Sequence, residues 1–161
     1  MTQRKIVVAM GEGAVGRVPH IISSLGLGSC VAVTLYDTRC RIGGLAHIML
    51  PDSTGLNVPC PPYHCADTAI AALLKELRSR GALRRDIVVK MAGGAGMFAS
   101  SNGLSAGIGE RNTTAVKYIL EKNGIVLAGE DTGGHHGRSV EFHLDSGRVL
   151  VRAIGKIDRE L

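Results

Sequence analysis

A chain of 161 residues, 45% hydrophobic and 20% charged, can bury roughly 68–70% of its unfolded surface without staples, so a single domain over 1–161 is expected and no second one is required. The 22 glycines, the 3% aromatic content and the absence of Trp point to turns, close backbone approaches and a core of Val, Ile, Leu and Ala. The charge of +5 is spread along the chain with small clusters at Arg78 and Arg80 and at Arg84 and Arg85; no basic run is interleaved with aromatics, so the pattern is not that of a single-strand nucleic-acid binder.

From the N-terminus, Ile6 to Met10 reads as a first strand and is too short for a signal-peptide core or a membrane span. A cytoplasmic location is therefore expected, and with it free thiols at Cys30, Cys40, Cys60 and Cys65. Residues 14–24 contain Pro19 and the apolar pair Ile21 and Ile22, and lead into Leu25-Gly26-Leu27-Gly28-Ser29-Cys30. Two glycines there free the backbone just before a cysteine, so one turn can present both a thiol and open N–H donors. The plainer reading of such a stretch is a tight turn ending in a buried cysteine.

Val31 to Tyr36 and Ile42 to Leu50 are β-branched runs of strand length separated by Asp37-Thr38-Arg39-Cys40, a turn sequence. With those four residues as the hairpin loop, Tyr36 pairs with Arg41, Thr34 with Gly43, Ala32 with Leu45 and Cys30 with His47. Val31, Val33 and Leu35 then share an apolar face with Ile42, Gly44, Ala46 and Ile48, and Cys30 and His47 share the other at about 5 Å between Cβ atoms. Pro51 to Gly55 ends the hairpin, and residues 56–63 form a proline-rich loop of the sort that covers a site. Asp67 or Thr68 can cap a helix to about Arg80, with Ile70, Leu73, Leu74 and Leu77 on its buried stripe and Gly81 as its stop.

Asp86 to Met91 is a further strand, running into Gly93-Gly94-Ala95-Gly96, whose spacing is not a dinucleotide fingerprint and reads as a turn or close-packing site. A Ser/Asn/Gly-rich loop follows, then a helix capped by Asn112 or Thr113 that buries Val116, Ile119 and Leu120 and stops at Gly124. Ile125 to Ala128 is a strand. A polar glycine loop over 129–138 precedes a second hairpin, in which Val140, Phe142 and Leu144 alternate with polar residues, Asp145-Ser146-Gly147 turns and Arg148 to Ile154 returns. Seven or so strands, two helices and two hairpins make a layered α+β domain the expected fold.

Three constellations could carry chemistry. Cys30 with His47 is a nucleophile with a base, in which imidazole takes the thiol proton and steadies the thiolate. Cys60, His64 and Cys65, with His135 and His136, have zinc-ligand chemistry, but Cys-x4-Cys lies at the long edge of structural spacings and no second cysteine pair completes it. The glycine loops lack the GKS or GKT of a phosphate cradle. No metal and no cofactor is expected.

The segments Gly26-Leu27-Gly28-Ser29-Cys30-Val31-Ala32-Val33, Leu35-Tyr36-Asp37 and Gly43 to Pro51 resemble the CheD chemoreceptor glutamine deamidases. The resemblance extends through Gly93-Gly94-Ala95, Ile108 to Asn112, Asp131 to Gly134 and Gly137-Arg138, nearly the whole chain. It implies an amidohydrolase that converts glutamines on the cytoplasmic helices of chemotaxis receptors to glutamates with release of ammonia. It also implies some receptor methylesterase activity, binding to a CheC-type phosphatase, and a fold like a toxin deamidase domain, an α/β/β sandwich with helices on one side. Cys30 matches the family nucleophile and His47 its partner, while the family's threonine falls at Ser24, which keeps the hydroxyl and loses the methyl. Backbone N–H groups around Gly28 and Ser29 would form the oxyanion hole. The reading from another class is a non-catalytic adaptor that binds receptor or phosphatase.

Overall fold

The first hairpin and the two helices fall in two adjoining layers, and the first strand and the second hairpin belong to a third. The computed structural model describes residues 2–97 and 107–161. In chain order the elements are β1 (Arg4–Val7), β2 (Gly13–Arg17), β3 (His20–Leu27), β4 (Val31–Asp37), β5 (Ile42–Ile48), α1 (Ala66–Ser79), β6 (Ile87–Gly93), α2 (Ile108–Lys122), β7 (Leu127–Thr132), β8 (Arg138–His143), β9 (Arg148–Arg152) and β10 (Arg159–Glu160). They form two five-stranded sheets, ordered β1-β3-β8-β9-β10 and β2-β5-β4-β6-β7. Both are mixed, because β1 runs parallel to β3 and β6 parallel to β7 while the other pairs are antiparallel.

The layers follow from which faces are apolar. Val31, Val33, Leu35, Ile42, Ala46 and Ile48 meet Ile70, Leu73 and Leu77 of α1 and Val116 and Leu120 of α2 in one core. On the opposite face of the same sheet, Ala32, Tyr36, Leu45 and Ala92 meet Ile22, Leu27, Val140, Phe142 and Val151 in a second core. The order is helices, sheet, sheet, which is the layered α+β arrangement expected. A strand buried on both sides cannot alternate apolar and polar residues, and all of β4 and β5 is buried.

Several boundaries differ from those the sequence suggests. Residues 13–27 hold two strands where only apolar pairs stand out, since Pro19 lies in the short turn between them. The α1 N-cap position is Cys65, with no side-chain cap bond, because the Asp67 carboxylate instead accepts from Ser53 N–H and Oγ–H. Helix α2 starts at Ile108, four residues before Asn112, whose side chain points inward rather than capping. Strand β7 starts two residues after Ile125, whose N–H donates to Leu120 O and finishes α2. Gly81 and Gly124 end their helices at φ of 94° and 63°, as expected of left-handed caps. The Ser/Asn/Gly-rich loop expected before Ile108 lies outside the described residues.

The first hairpin keeps the expected faces but not the expected register. Tyr36 pairs with Gly43, Thr34 with Leu45 and Ala32 with His47, a shift of two from the pairing with Arg41. Asp37 belongs to the strand, and residues 38–41 make the turn. The Asp37 carboxylate accepts from the N–H groups of Arg39 and Cys40, each at 2.8 Å, and its carbonyl accepts from Arg41 N–H, with Arg41 at φ 53°. A two-residue shift preserves the parity of every side chain, so Cys30 and His47 stay on one face.

Candidate active site

The site lies where the two sheets face each other. His47 projects from β5 toward the opposite sheet and is 1% exposed. Cys30 precedes β4 by one residue and packs, half-buried, against the same inter-sheet core. Because Ala32 is the residue opposite His47, Cys30 is its diagonal neighbour, at a strand spacing of about 7–8 Å rather than the 5 Å of a direct pair. Among the described residues the Cys30 thiol and the imidazole make no hydrogen bond, and His47 Nε2 is buried without a partner.

Ser24 comes from β3 in the other sheet and is fully buried. Its Oγ lies 2.8 Å from Val8 O and 2.8 Å from His47 Nδ1. A carbonyl oxygen can only accept, so the one Ser24 proton goes to Val8 and Ser24 Oγ accepts from His47 Nδ1–H. That fixes the neutral imidazole in the Nδ1–H tautomer and leaves the Nε2 lone pair free, the state of a general base. The backbone of His47 is held as well: its N–H donates to Glu12 O and its carbonyl accepts from Gly11 N–H.

The turn before Cys30 is laced to its surroundings by its carbonyls. Gly28 O accepts from Ala95 N–H and Cys30 O from Gly94 N–H, both at 2.8 Å. A Cβ at Gly93 would stand 2.2 Å from Cys30 O, so the glycine run after β6 is the close-packing site its sequence suggests. Ser29 O accepts from Asn112 Nδ2, which donates also to Met49 O at 3.0 Å. Asn112 thus ties Ser29 to Met49, across the open end of the β4–β5 ladder. Among the described residues no carbonyl takes the Ser29 N–H, which leaves that donor open. The sequence offers Asn112 only as a helix cap; its helical position on the site side of α2 is what gives it this role.

Burial pushes the Cys30 thiol above its ordinary value of 9.0, against a smaller downward pull from its own N–H. Burial likewise holds His47 below the ordinary 6.5. Both shifts favour a neutral thiol beside a neutral imidazole, in place of the ion pair that the residue types alone suggest. Of the other histidines, His135 Nδ1–H donates to Gly96 O at 2.9 Å, at the rim of the turn whose Gly28 lies against Met97. Cys60 and Cys65 come together while the His64 ring packs on Gly11. Among the described residues no group of three or more His, Cys, Asp or Glu is arranged to hold a metal ion.

Comparison with known proteins gives a consistent picture. The family model described as CheD chemotactic sensory transduction matches residues 49–153. A chemoreceptor glutamine deamidase CheD of Thermotoga maritima is 47% identical over 151 residues, 94% of this chain and 93% of that one. Probable chemoreceptor glutamine deamidases of the same name from Moorella thermoacetica and Clostridium kluyveri are 46% and 41% identical, covering 95% and 100% of this chain and 93% and 100% of theirs. The family model begins after His47, whereas the similarity to the Clostridium protein runs through Ser24, Cys30 and His47.

Proposed function

The chain belongs to the CheD family of chemoreceptor glutamine deamidases, and from that membership we propose that Cys30, His47 and Ser24 carry out a thioester deamidation of glutamine side chains on chemotaxis receptors. The observation that carries the assignment is the Ser24–His47 hydrogen bond, which leaves Nε2 as an unpartnered buried base on the face shared with Cys30. A glutamine side chain entering between Cys30 and the glycine turn would be attacked at its carbonyl carbon by sulfur as Nε2 accepts the thiol proton. The Ser29 N–H, with Gly28 beside it, faces the developing oxyanion. Collapse of the tetrahedral intermediate breaks the C–N bond, and the imidazolium gives its proton to the departing ammonia. Water, deprotonated by Nε2, then hydrolyses the thioester to glutamate and restores the thiol.

The same acyl chemistry accommodates a glutamyl methyl ester, with methanol as leaving group, and methanol release from methylated receptor tests that activity. Receptor cytoplasmic helices place the reaction in the cytoplasm, and no described helix is long and apolar enough to cross a membrane. A CheC-type phosphatase is proposed as a protein partner, testable by co-elution of the two purified proteins. The deciding experiment incubates the protein with receptor cytoplasmic fragments and reads a gain of about 1 Da at individual glutamines by mass spectrometry. Cys30→Ala and His47→Ala are expected to abolish the gain while the fold persists by circular dichroism. Deamidation by a folded Cys30→Ala protein would overturn the assignment, and no deamidation by the wild type would leave an adaptor.

A further inference from the structure

Two thiols outside the deamidation site meet closely. Cys60 Sγ and Cys65 Sγ are 2.7 Å apart. Cys65 is fully buried at the N-cap position of α1, and Cys60 is half-buried in the loop before it. Burial, with Cys60 beside it, pushes the Cys65 thiol up to about 12, so Cys65 keeps its proton at neutral pH. Cys60, the more exposed of the two, is the sulfur that meets reagents from solvent, with the buried Cys65 behind it. The intervening segment is fastened to the residues just after the strand that carries His47: His64 O accepts from Met49 and Leu50 N–H, and Leu50 O accepts from Ala66 N–H.

We propose that Cys60 and Cys65 form a reversible thiol–disulfide site whose oxidants are low-molecular-mass disulfides of the glutathione class. Cys60 thiolate attacks one sulfur of the small disulfide, whose S–S bond breaks and releases one thiolate. Cys65 then gives its proton to solvent and attacks the Cys60 sulfur of the mixed disulfide, expelling the second thiolate. The two protein thiols lose two electrons and the small disulfide gains them. Closure fixes residues 60–65 against the start of α1 and, through His64, holds the end of β5. The site does not depend on the deamidase mechanism.

The test uses the full-length Cys30→Ala protein, so that the nucleophile does not compete. The protein is equilibrated with oxidised and reduced glutathione, quenched in acid, alkylated and digested with trypsin. Cleavage after Arg41 and Lys75 isolates residues 42–75, which contain Cys60 and Cys65 and no other cysteine. The expected product is this peptide about 2 Da lighter than its dithiol and unalkylated, returning to the doubly alkylated form after dithiothreitol. The ratio of disulfide to dithiol should exceed that of the isolated, unfolded peptide 42–75 in the same buffer by roughly tenfold or more. A ratio equal to the free peptide's, a doubly alkylated peptide throughout, or glutathione retained on Cys60 with Cys65 alkylated would each overturn the proposal.

Discussion

Ser24 has a single proton, and what it does with that proton decides what His47 can do. Because Val8 O takes it, the serine is an acceptor toward Nδ1 and holds the ring with the Nε2 lone pair free. Ser24→Ala removes this orientation and should lower kcat for glutamine deamidation roughly 10- to 100-fold with KM little changed. Ser24→Thr restores the hydroxyl with a stiffer χ1 and should retain or improve kcat; equal loss in both variants would show that the hydroxyl is not what matters. The neutral pair also predicts the pH profile. If Cys30 and His47 react as proposed, catalysis needs one proton shared between them, so activity falls in acid when His47 is protonated and in alkali when Cys30 loses its proton with no imidazolium to supply ammonia. Burial lowers the first value and raises the second, so the acid limb should lie below 6.5 and the alkaline limb above 9.0. Iodoacetamide labelling of Cys30 in the resting protein should likewise be slow at neutral pH and accelerate above 9.0; fast labelling at pH 7 would indicate a resting ion pair.

At the scale of elements, the β4–β5 hairpin carries the site and Asp37 sets its register. Burial raises this carboxyl, but N–H bonds from Cys40, Leu83 and Arg39 outweigh it and hold the group below its ordinary 3.8. Asp37→Asn loses one acceptor and turns an NH2 group toward a donor that needs one, at a cost of roughly 1–3 kcal/mol near neutral pH. The depressed native value means that this contribution is present above 3.8 and is lost as pH falls through the folded value. The difference in urea midpoint between wild type and Asp37→Asn should therefore shrink in acid; a difference independent of pH would contradict a charged Asp37. This residue also explains what was legible. The two faces of the hairpin can be read from the sequence because side-chain direction has period two. The offset cannot, because Asp37 serves both as a strand residue and as the acceptor of its turn. Asn112 was hidden for a related reason: an Asn near a helix start signals a cap, and only the packing of α2 beside the Ser29 turn turns its Nδ2 toward Ser29 O and Met49 O. Cys30 and His47 stood out as residue types in a specific motif and Ser24 only through the family resemblance, whereas the strands over 13–27 did not, because Gly13, Gly16, Pro19 and the buried Ser23 and Ser24 interrupt the apolar pattern.

For the whole molecule, the consequence of the three layers is that the site is assembled across a seam. Ser24 belongs to one sheet and His47 to the other, so their 2.8 Å bond lasts only while the inter-sheet core keeps the sheets in place. Phe142 is central to that core. It is fully buried, stands opposite Ile22, meets Tyr36 edge-on at 5.8 Å, and lies so close to Gly43 that a Cβ there would be 2.6 Å from its ring. Removing the ring leaves a cavity between the sheets, and Phe142→Ala should cost about 3–5 kcal/mol, a large part of the 5–15 kcal/mol typical of a domain. The urea midpoint should fall with the slope unchanged, since the same surface is exposed on unfolding. Below its melting temperature the folded variant should bind receptor fragments normally but turn over more slowly, because the loosened seam displaces Ser24 from His47 before it alters the outer surface. Combining Phe142→Ala with Ser24→Ala separates the two effects. If the seam acts through that hydrogen bond, the double variant should deamidate no more slowly than Ser24→Ala alone; fully multiplicative losses would mean that Phe142 affects turnover by another route.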